Sequence, residues 1–162
     1  MEPIYKLYSS LTELEQRKTW AEIDLDALRQ NYRLVRQITS NAELPPRIIA
    51  VVKAEAYGHG APACVRTLLS EGCDFFAVAS FEEALAVRRV CDENQSNAAV
   101  LILGYTHPLH AKGLAAHKLT QALLSADYAQ ALQKAAEAAE VIYIFAPLKI
   151  VLLNTANRES RV

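Results

Sequence analysis

Short apolar runs recur along this chain and alternate with segments of helical periodicity. The runs occupy residues 48–52, 75–79, 99–105 and 119–124. The first is continuous and β-branched, which is typical of a strand buried on both faces of a parallel sheet. Strands that alternate with helices form βαβ units. The sequence therefore predicts an α/β fold built on a parallel sheet.

The intervening segments carry helix start signals. Asp24 or Asp26 can cap a first helix that turns one apolar face inward, Pro62 suits the first turn of a second, and Ser80 with Glu83 predicts a capping box for a third. Ser125 can cap an alanine-rich helix over 128–139. The first helix is expected to bury Leu25, Leu28, Tyr32 and Val35.

Lys53 ends the first apolar run and is followed by a turn-rich segment, 54–60. Alternation along the strand places Lys53 on the same face as Ile49 and Val51, at the carboxyl end of the strand. A strand-end lysine often extends its amine into solvent. At this end of an α/β barrel, however, functional side chains gather, so Lys53 is the first candidate for a reactive amine.

The segment 50–60, Ala-Val-Val-Lys-Ala-Glu-Ala-Tyr-Gly-His-Gly, resembles the signature of the alanine racemases, whose lysine forms a Schiff base with pyridoxal phosphate. Segments 19–28, 101–106 and 117–121 resemble further parts of that family. The resemblance implies a TIM-type (β/α)8 barrel, pyridoxal 5'-phosphate as cofactor, and interconversion of L-alanine and D-alanine for cell-wall peptide. It also implies a homodimer with alanine as substrate.

Length limits what this resemblance implies. A complete barrel takes about 250 residues, whereas this chain has 162. We expect an N-terminal extension over 1–18 and a partial barrel, about the first half, over 19–162. The family's second proton-transfer group is a tyrosine of the C-terminal domain of the opposite subunit, so the chain alone is expected to show little racemase activity. The alternatives are a non-catalytic remnant or interaction module that binds the cofactor weakly or pairs with a racemase protomer, and a stand-alone carrier of the cofactor.

The resemblance assigns roles to individual residues. Lys53 is the catalytic and cofactor-binding lysine, and Tyr57 matches a residue whose hydroxyl helps to hold the cofactor phosphate; otherwise Tyr57 is an aromatic side chain packed over the rim. Arg158 matches an arginine near the cofactor's phenolic oxygen, although leucines stand where the family has that arginine's orienting lysine. Glu55 replaces the usual asparagine. Its carboxylate either favours the charged ammonium of Lys53 or turns away into solvent.

Charge and composition exclude several functions. A net charge of -1, from 17 basic and 18 acidic residues, gives no footprint for nucleic acid or an anionic membrane. No stretch has the length of a membrane span, and the start lacks an apolar leader, so a cytoplasmic location is expected. The three cysteines predict reduced, buried thiols. His107 and His110 lack a third ligand, so no metal is expected. The charges Glu82, Glu83, Arg88 and Arg89 are interpreted as solvated surface pairs.

Overall fold

A computed structural model describes residues 21–41 and 45–140, and it has the predicted alternation of strands and helices. In chain order the elements are helix α1 (Leu25–Ser40), strand β1 (Ala50–Val51), a turn over Lys53–Gly58, α2 (Ala61–Ser70), β2 (Phe75–Val78), α3 (Phe81–Glu93), β3 (Ala99–Ile102), a 3-10 turn (Pro108–His110), α4 (Ala111–Ala116), β4 (Leu119–Gln121) and α5 (Ala126–Ala138). The four strands form one sheet in the order β1-β2-β3-β4, and every pair is parallel. The prediction of an α/β fold with a partial barrel is confirmed.

Each strand is shorter than its apolar run. Beyond the strand ends the ladder continues by single hydrogen bonds: Val52 N donates to Ala77 O at 2.9 Å, and Ala122 N donates to Ile102 O at 2.9 Å. The apolar residues past these points belong to the loops at the carboxyl edge. The pairing of neighbouring strands, rather than hydrophobicity, therefore sets where each strand ends.

Both faces of the sheet are buried, as the continuous apolar runs predicted. Phe76, Val78, Val100 and Ile102 pack against the helices in the larger, outer cluster. Phe75, Ala77 and Leu101 form a smaller, inner cluster, against which Ile49 and Val51 pack. Alternation along β2 thus sends successive side chains to opposite faces.

The helix starts agree with the cap predictions. Asp24 accepts hydrogen bonds from Asp26 N and Ala27 N, both at 2.9 Å, so Asp24 rather than Asp26 caps α1. Ser125 accepts from Tyr128 N at 3.1 Å. The prediction that Val35 is buried is wrong, because its side chain is 43% exposed. Leu28 and Tyr32 do pack against the outer cluster.

An acid-base contact orients α1. Arg33 donates two hydrogen bonds to the carboxylate of Glu71, at 2.6 and 2.7 Å, and Arg36 donates to the Glu71 carbonyl at 3.1 Å. Glu71 caps the end of α2. A bidentate pair of this kind fixes orientation as well as distance, so it holds α1 alongside α2.

This contact gives an expected pH dependence. The hydrogen bond from Arg33 holds the pKa of Glu71 below its ordinary value of 4.5. A lowered pKa contributes stability that is fully present above pH 4.5 and is lost as the pH falls through the folded-state pKa. Glu71→Gln should therefore lower the free energy of unfolding at neutral pH, and its difference from wild type should shrink in acid. Urea unfolding from pH 7 to 3 measures this, with Glu93→Gln as the control; a pH-independent difference would contradict the assignment.

The three cysteines are free and buried, which confirms that prediction. Cys64 lies in α2, Cys91 lies in α3, and Cys73 precedes β2. Burial raises the pKa of each thiol. All three side chains belong to the outer cluster.

No helix within 21–41 and 45–140 combines the length and apolarity needed to cross a membrane. Nor do three or more metal-ligating side chains come together in this part of the chain. His107 instead accepts a hydrogen bond from Leu109 N at 3.2 Å, and the ring of His110 lies 4.8 Å from that of Phe81.

Candidate functional site

Lys53 lies where the β1 ladder ends. The preceding residue, Val52, is buried and makes the last ladder bond to β2, while Lys53 itself is half-buried and opens the turn Lys53–Gly58. The lysine thus follows directly after the last residue that is hydrogen-bonded to β2. Its position at the carboxyl end of the sheet is the one predicted from the sequence.

The turn after Lys53 is left-handed. Residues 54–57 all have φ between 49° and 58° and ψ between 37° and 54°. Left-handed helical angles cost L-residues roughly 1–2 kcal/mol each, so these four together store about 4–8 kcal/mol. Gly58 and Gly60, the residue type that adopts positive φ most readily, both have a φ of 84°. Alanine, glutamate and tyrosine carry no signal for this conformation.

Local hydrogen bonds and burial offset that strain. Ala56 N donates to Val52 O at 3.0 Å, Gly60 N donates to Glu55 O at 2.9 Å, and His59 Nδ1 lies 2.8 Å from Ala56 O. Ala56 is buried in the outer cluster. Hydrogen bonds within the segment and the burial of Ala56 together therefore hold the turn in its strained conformation.

Glu55 caps the next helix. Its Oε2 accepts a hydrogen bond from Ala61 N at 3.0 Å, at the start of α2, where Gly60 in the cap position has no side chain for the task. Neither role considered from the sequence included this bond. The carboxylate thus connects the left-handed turn to the helix that follows it, and it suits the positive end of the helix dipole.

Glu83 joins the same turn to β2. Oε1 accepts from Ala54 N at 2.8 Å and Oε2 accepts from Ala79 N, also at 2.8 Å. The prediction that Glu83 is a solvated surface charge is wrong, because both carboxylate oxygens are engaged with backbone. The capping-box prediction is correct in part: Ser80 Oγ accepts from Glu83 N at 3.3 Å, but the return bond goes to Ala79 rather than to Ser80.

Arg88 corrects a second surface assignment. Its side chain is only 6% exposed, and Nη2 donates to Ala98 O at 2.7 Å. The guanidinium therefore holds the chain just before β3. Helical spacing suggested surface pairs among Glu82, Glu83, Arg88 and Arg89, whereas the acidic side chain in contact with Arg88 is Asp92, at 3.8 Å.

The ends of β2 and β3 approach each other closely. Gly104 N donates to Ala79 O at 3.2 Å, and a Cβ placed on Gly104 would lie 2.4 Å from that oxygen. Ala79 is thus bound on both sides, through its N–H to Glu83 and through its carbonyl to Gly104. Only glycine permits this approach.

A second group of contacts joins the later rim loops. Tyr128 donates its hydroxyl proton to Thr106 O at 2.7 Å, and Gln121 Nε2 donates to Gly104 O at 2.7 Å. Desolvation raises the pKa of Tyr128. These residues were not identified from the sequence, because their partners are distant along the chain.

The structure brings two of the three predicted site residues together. Lys53 and Tyr57 belong to one turn, and the Tyr57 side chain is 60% exposed rather than packed over the rim. Arg158 lies outside the described residues. Lys53 forms no salt bridge with a carboxylate from residues 21–41 or 45–140. The turn thus carries a half-buried amine that is not paired with a described carboxylate, and an exposed hydroxyl four residues later, which suits a ligand that needs an amine and a phosphate contact.

The fold and this site define a partial α/β barrel with a lysine at the carboxyl end of a strand. Residues 23–150 match the family described as alanine racemase, N-terminal domain. Alanine racemase of Symbiobacterium thermophilum is 39% identical over 118 residues, and that of Clostridium novyi is 40% identical over 121 residues. These alignments cover 73% and 75% of this chain, and 29% of each relative.

Solved structures give the same result. Alanine racemase of Clostridium difficile 630 superposes with a TM-score of 0.64 at 33% identity, covering 77% of this chain and 32% of that one. Alanine racemase of Bacillus anthracis with bound L-Ala-P gives 0.62 at 28% identity, covering 75% and 30%. The chain belongs to the alanine racemase N-terminal domain family, and it spans about three tenths of the length of its curated relatives.

Proposed function

We propose that this chain supplies the cofactor-binding lysine of a pyridoxal-phosphate-dependent racemase that acts on alanine. The observation that supports this most strongly is Lys53, a half-buried amine not paired with any described carboxylate, held at the end of β1 by a strained left-handed turn. The curated relatives at 39–40% identity are alanine racemases.

The chain's own residues have separate tasks in this proposal. Lys53 holds the cofactor and, when released from it, moves a proton at the substrate α-carbon. Tyr57, exposed in the same turn, donates its hydroxyl to the cofactor phosphate. Pyridoxal phosphate, when bound, supplies the electron sink that makes the α-proton acidic. This proposal also includes Arg158 as a further cofactor contact and a boundary after residue 18 between an N-terminal extension and the barrel domain. It further includes a dimeric partner and a cytoplasmic location.

Covalent trapping tests the role of Lys53. We expect borohydride reduction of the chain with pyridoxal phosphate, followed by peptide mapping, to place the pyridoxyl group on Lys53. The physical reason is that an amine held beside a phosphate contact reacts with the aldehyde at high effective concentration. Mass spectrometry of the peptides measures the site and its occupancy.

The exposed lysines Lys112, Lys118 and Lys134 of the same chain serve as internal controls. Lys53→Ala should lose the modification, and Tyr57→Phe should keep it with weaker binding of the phosphate. Modification spread evenly over Lys53 and these three control lysines, or unchanged in Lys53→Ala, would refute the proposal.

A further inference from the structure

We propose that Glu83 is the positioning residue for Lys53: its carboxylate holds the peptide between Lys53 and Ala54 in place against the end of β2. The inference rests on the proposed role of Lys53, which it deepens. It concerns a residue 29 positions away along the chain from the turn that it contacts.

The geometry of two hydrogen bonds carries the inference. Glu83 Oε1 binds the N–H of Ala54, which belongs to the peptide plane that begins at the Lys53 Cα. Since a peptide is planar, fixing that N–H also fixes the direction in which the chain leaves Lys53. The other oxygen binds Ala79 N, directly after β2. One carboxylate therefore sets the base of the lysine side chain relative to the neighbouring strand.

A carboxylate is the side chain that this arrangement requires. Two N–H donors approach it, and an ionised carboxylate offers an acceptor on each oxygen. Glutamine of the same length would present an NH₂ group to one of them. Glu83 lies in the first turn of α3, whose start is fixed by Ser80, so a rigid element carries it. The helix dipole there favours its negative charge.

A helix cap alone does not account for these contacts. In the usual capping box the glutamate bonds back to the N–H of the cap residue. Here Glu83 accepts one bond from Ala79 N, one residue before the cap residue Ser80, and a second bond from Ala54 N in the left-handed turn. That second bond contributes nothing to the start of α3. It contributes to Ala54, which has a φ of 49° and opens the strained segment.

The test compares Glu83→Gln with Glu82→Gln in the full chain. Both variants remove one carboxylate from the first turn of α3, but Glu82 is exposed and makes neither bond. Because glutamine keeps one acceptor oxygen, amide hydrogen exchange at Ala54, at Ala79 or at both, measured by NMR without cofactor, should rise about tenfold or more in Glu83→Gln only. Attachment of pyridoxal phosphate to Lys53 should slow by about tenfold to a hundredfold, the scale of a 1 Å misplacement.

The two readouts separate this inference from the proposed function. Unchanged exchange at both Ala54 and Ala79 in folded Glu83→Gln, or an equal rise in Glu82→Gln, overturns the role of Glu83. If amide exchange rises in Glu83→Gln as expected but pyridoxal phosphate does not attach to Lys53 even in the wild-type protein, the cofactor proposal is refuted instead. If Glu83→Gln does not fold, Glu83→Asp replaces it, because aspartate keeps the charge but is one methylene too short to reach both amides. Wild-type exchange at both amides in folded Glu83→Asp would again overturn the inference.

Discussion

Replacing Phe76 by alanine is expected to lower the free energy of unfolding by about 3–5 kcal/mol, the cost of deleting a large side chain from a packed core. Phe76 is 0% exposed and lies in β2, which pairs with β1 on one side and with β3 on the other. Its ring belongs to the outer cluster between sheet and helices. Urea denaturation followed by circular dichroism measures the loss.

Leu109→Ala is the matched control, since it also removes apolar side-chain atoms but at a position that is 84% exposed. Its effect should stay within about 0.5 kcal/mol. A loss below about 1 kcal/mol for Phe76→Ala would show that the outer cluster does not hold the fold together. Equal losses for the two variants would have the same meaning.

Gly104→Ala is expected to cost about 1–3 kcal/mol, the usual penalty for forcing an extra methyl group into a closely packed site. The added Cβ would meet the Ala79 carbonyl oxygen at 2.4 Å, so the ends of β2 and β3 must separate. Separation also weakens the hydrogen bond from Gly104 N to Ala79 O. Thermal unfolding measures the cost.

Comparing Gly104→Ala with Gly58→Ala distinguishes the stability cost of a steric contact from that of a left-handed backbone conformation. Gly58 has a φ of 84° with nothing within 4 Å of an added Cβ, whereas Gly104 is restricted by contact alone. We expect Gly58→Ala to cost about 1 kcal/mol through its left-handed angle. A stable Gly104→Ala protein that keeps the Gly104–Ala79 hydrogen bond would contradict the close approach described above.

Local signals were sufficient to predict most of the fold. The alternation of strands and helices and the caps at Asp24, Ser80 and Ser125 follow from periodicity and from side chains within a few residues of each helix start. The exposure of Val35 did not follow, because α1 has apolar residues on more than one face. Which face packs inward is settled by the contact between Arg33 and Glu71, 38 positions apart.

The site was predicted in part for the same reason. A strand end followed by glycines identified Lys53 and the turn after it. The left-handed angles of residues 54–57 could not be foreseen, because their residue types carry no signal for this conformation and one bond that holds them, from Ala54 N to Glu83, joins residues 29 positions apart. Glu83 illustrates this: its neighbours along the chain suggested a helix cap, while its second contact is formed only when α3 packs against the β1 end.

The three buried thiols can be used to follow local unfolding of the outer cluster. Cys64, Cys73 and Cys91 sit in three successive parts of the outer cluster, and desolvation keeps them in the protonated form, which reacts slowly with thiol reagents. Each becomes reactive only when its own part of the cluster separates from the sheet. The rates at which a thiol reagent labels Cys64, Cys73 and Cys91 therefore report separately on the opening of α2, of the segment before β2 and of α3.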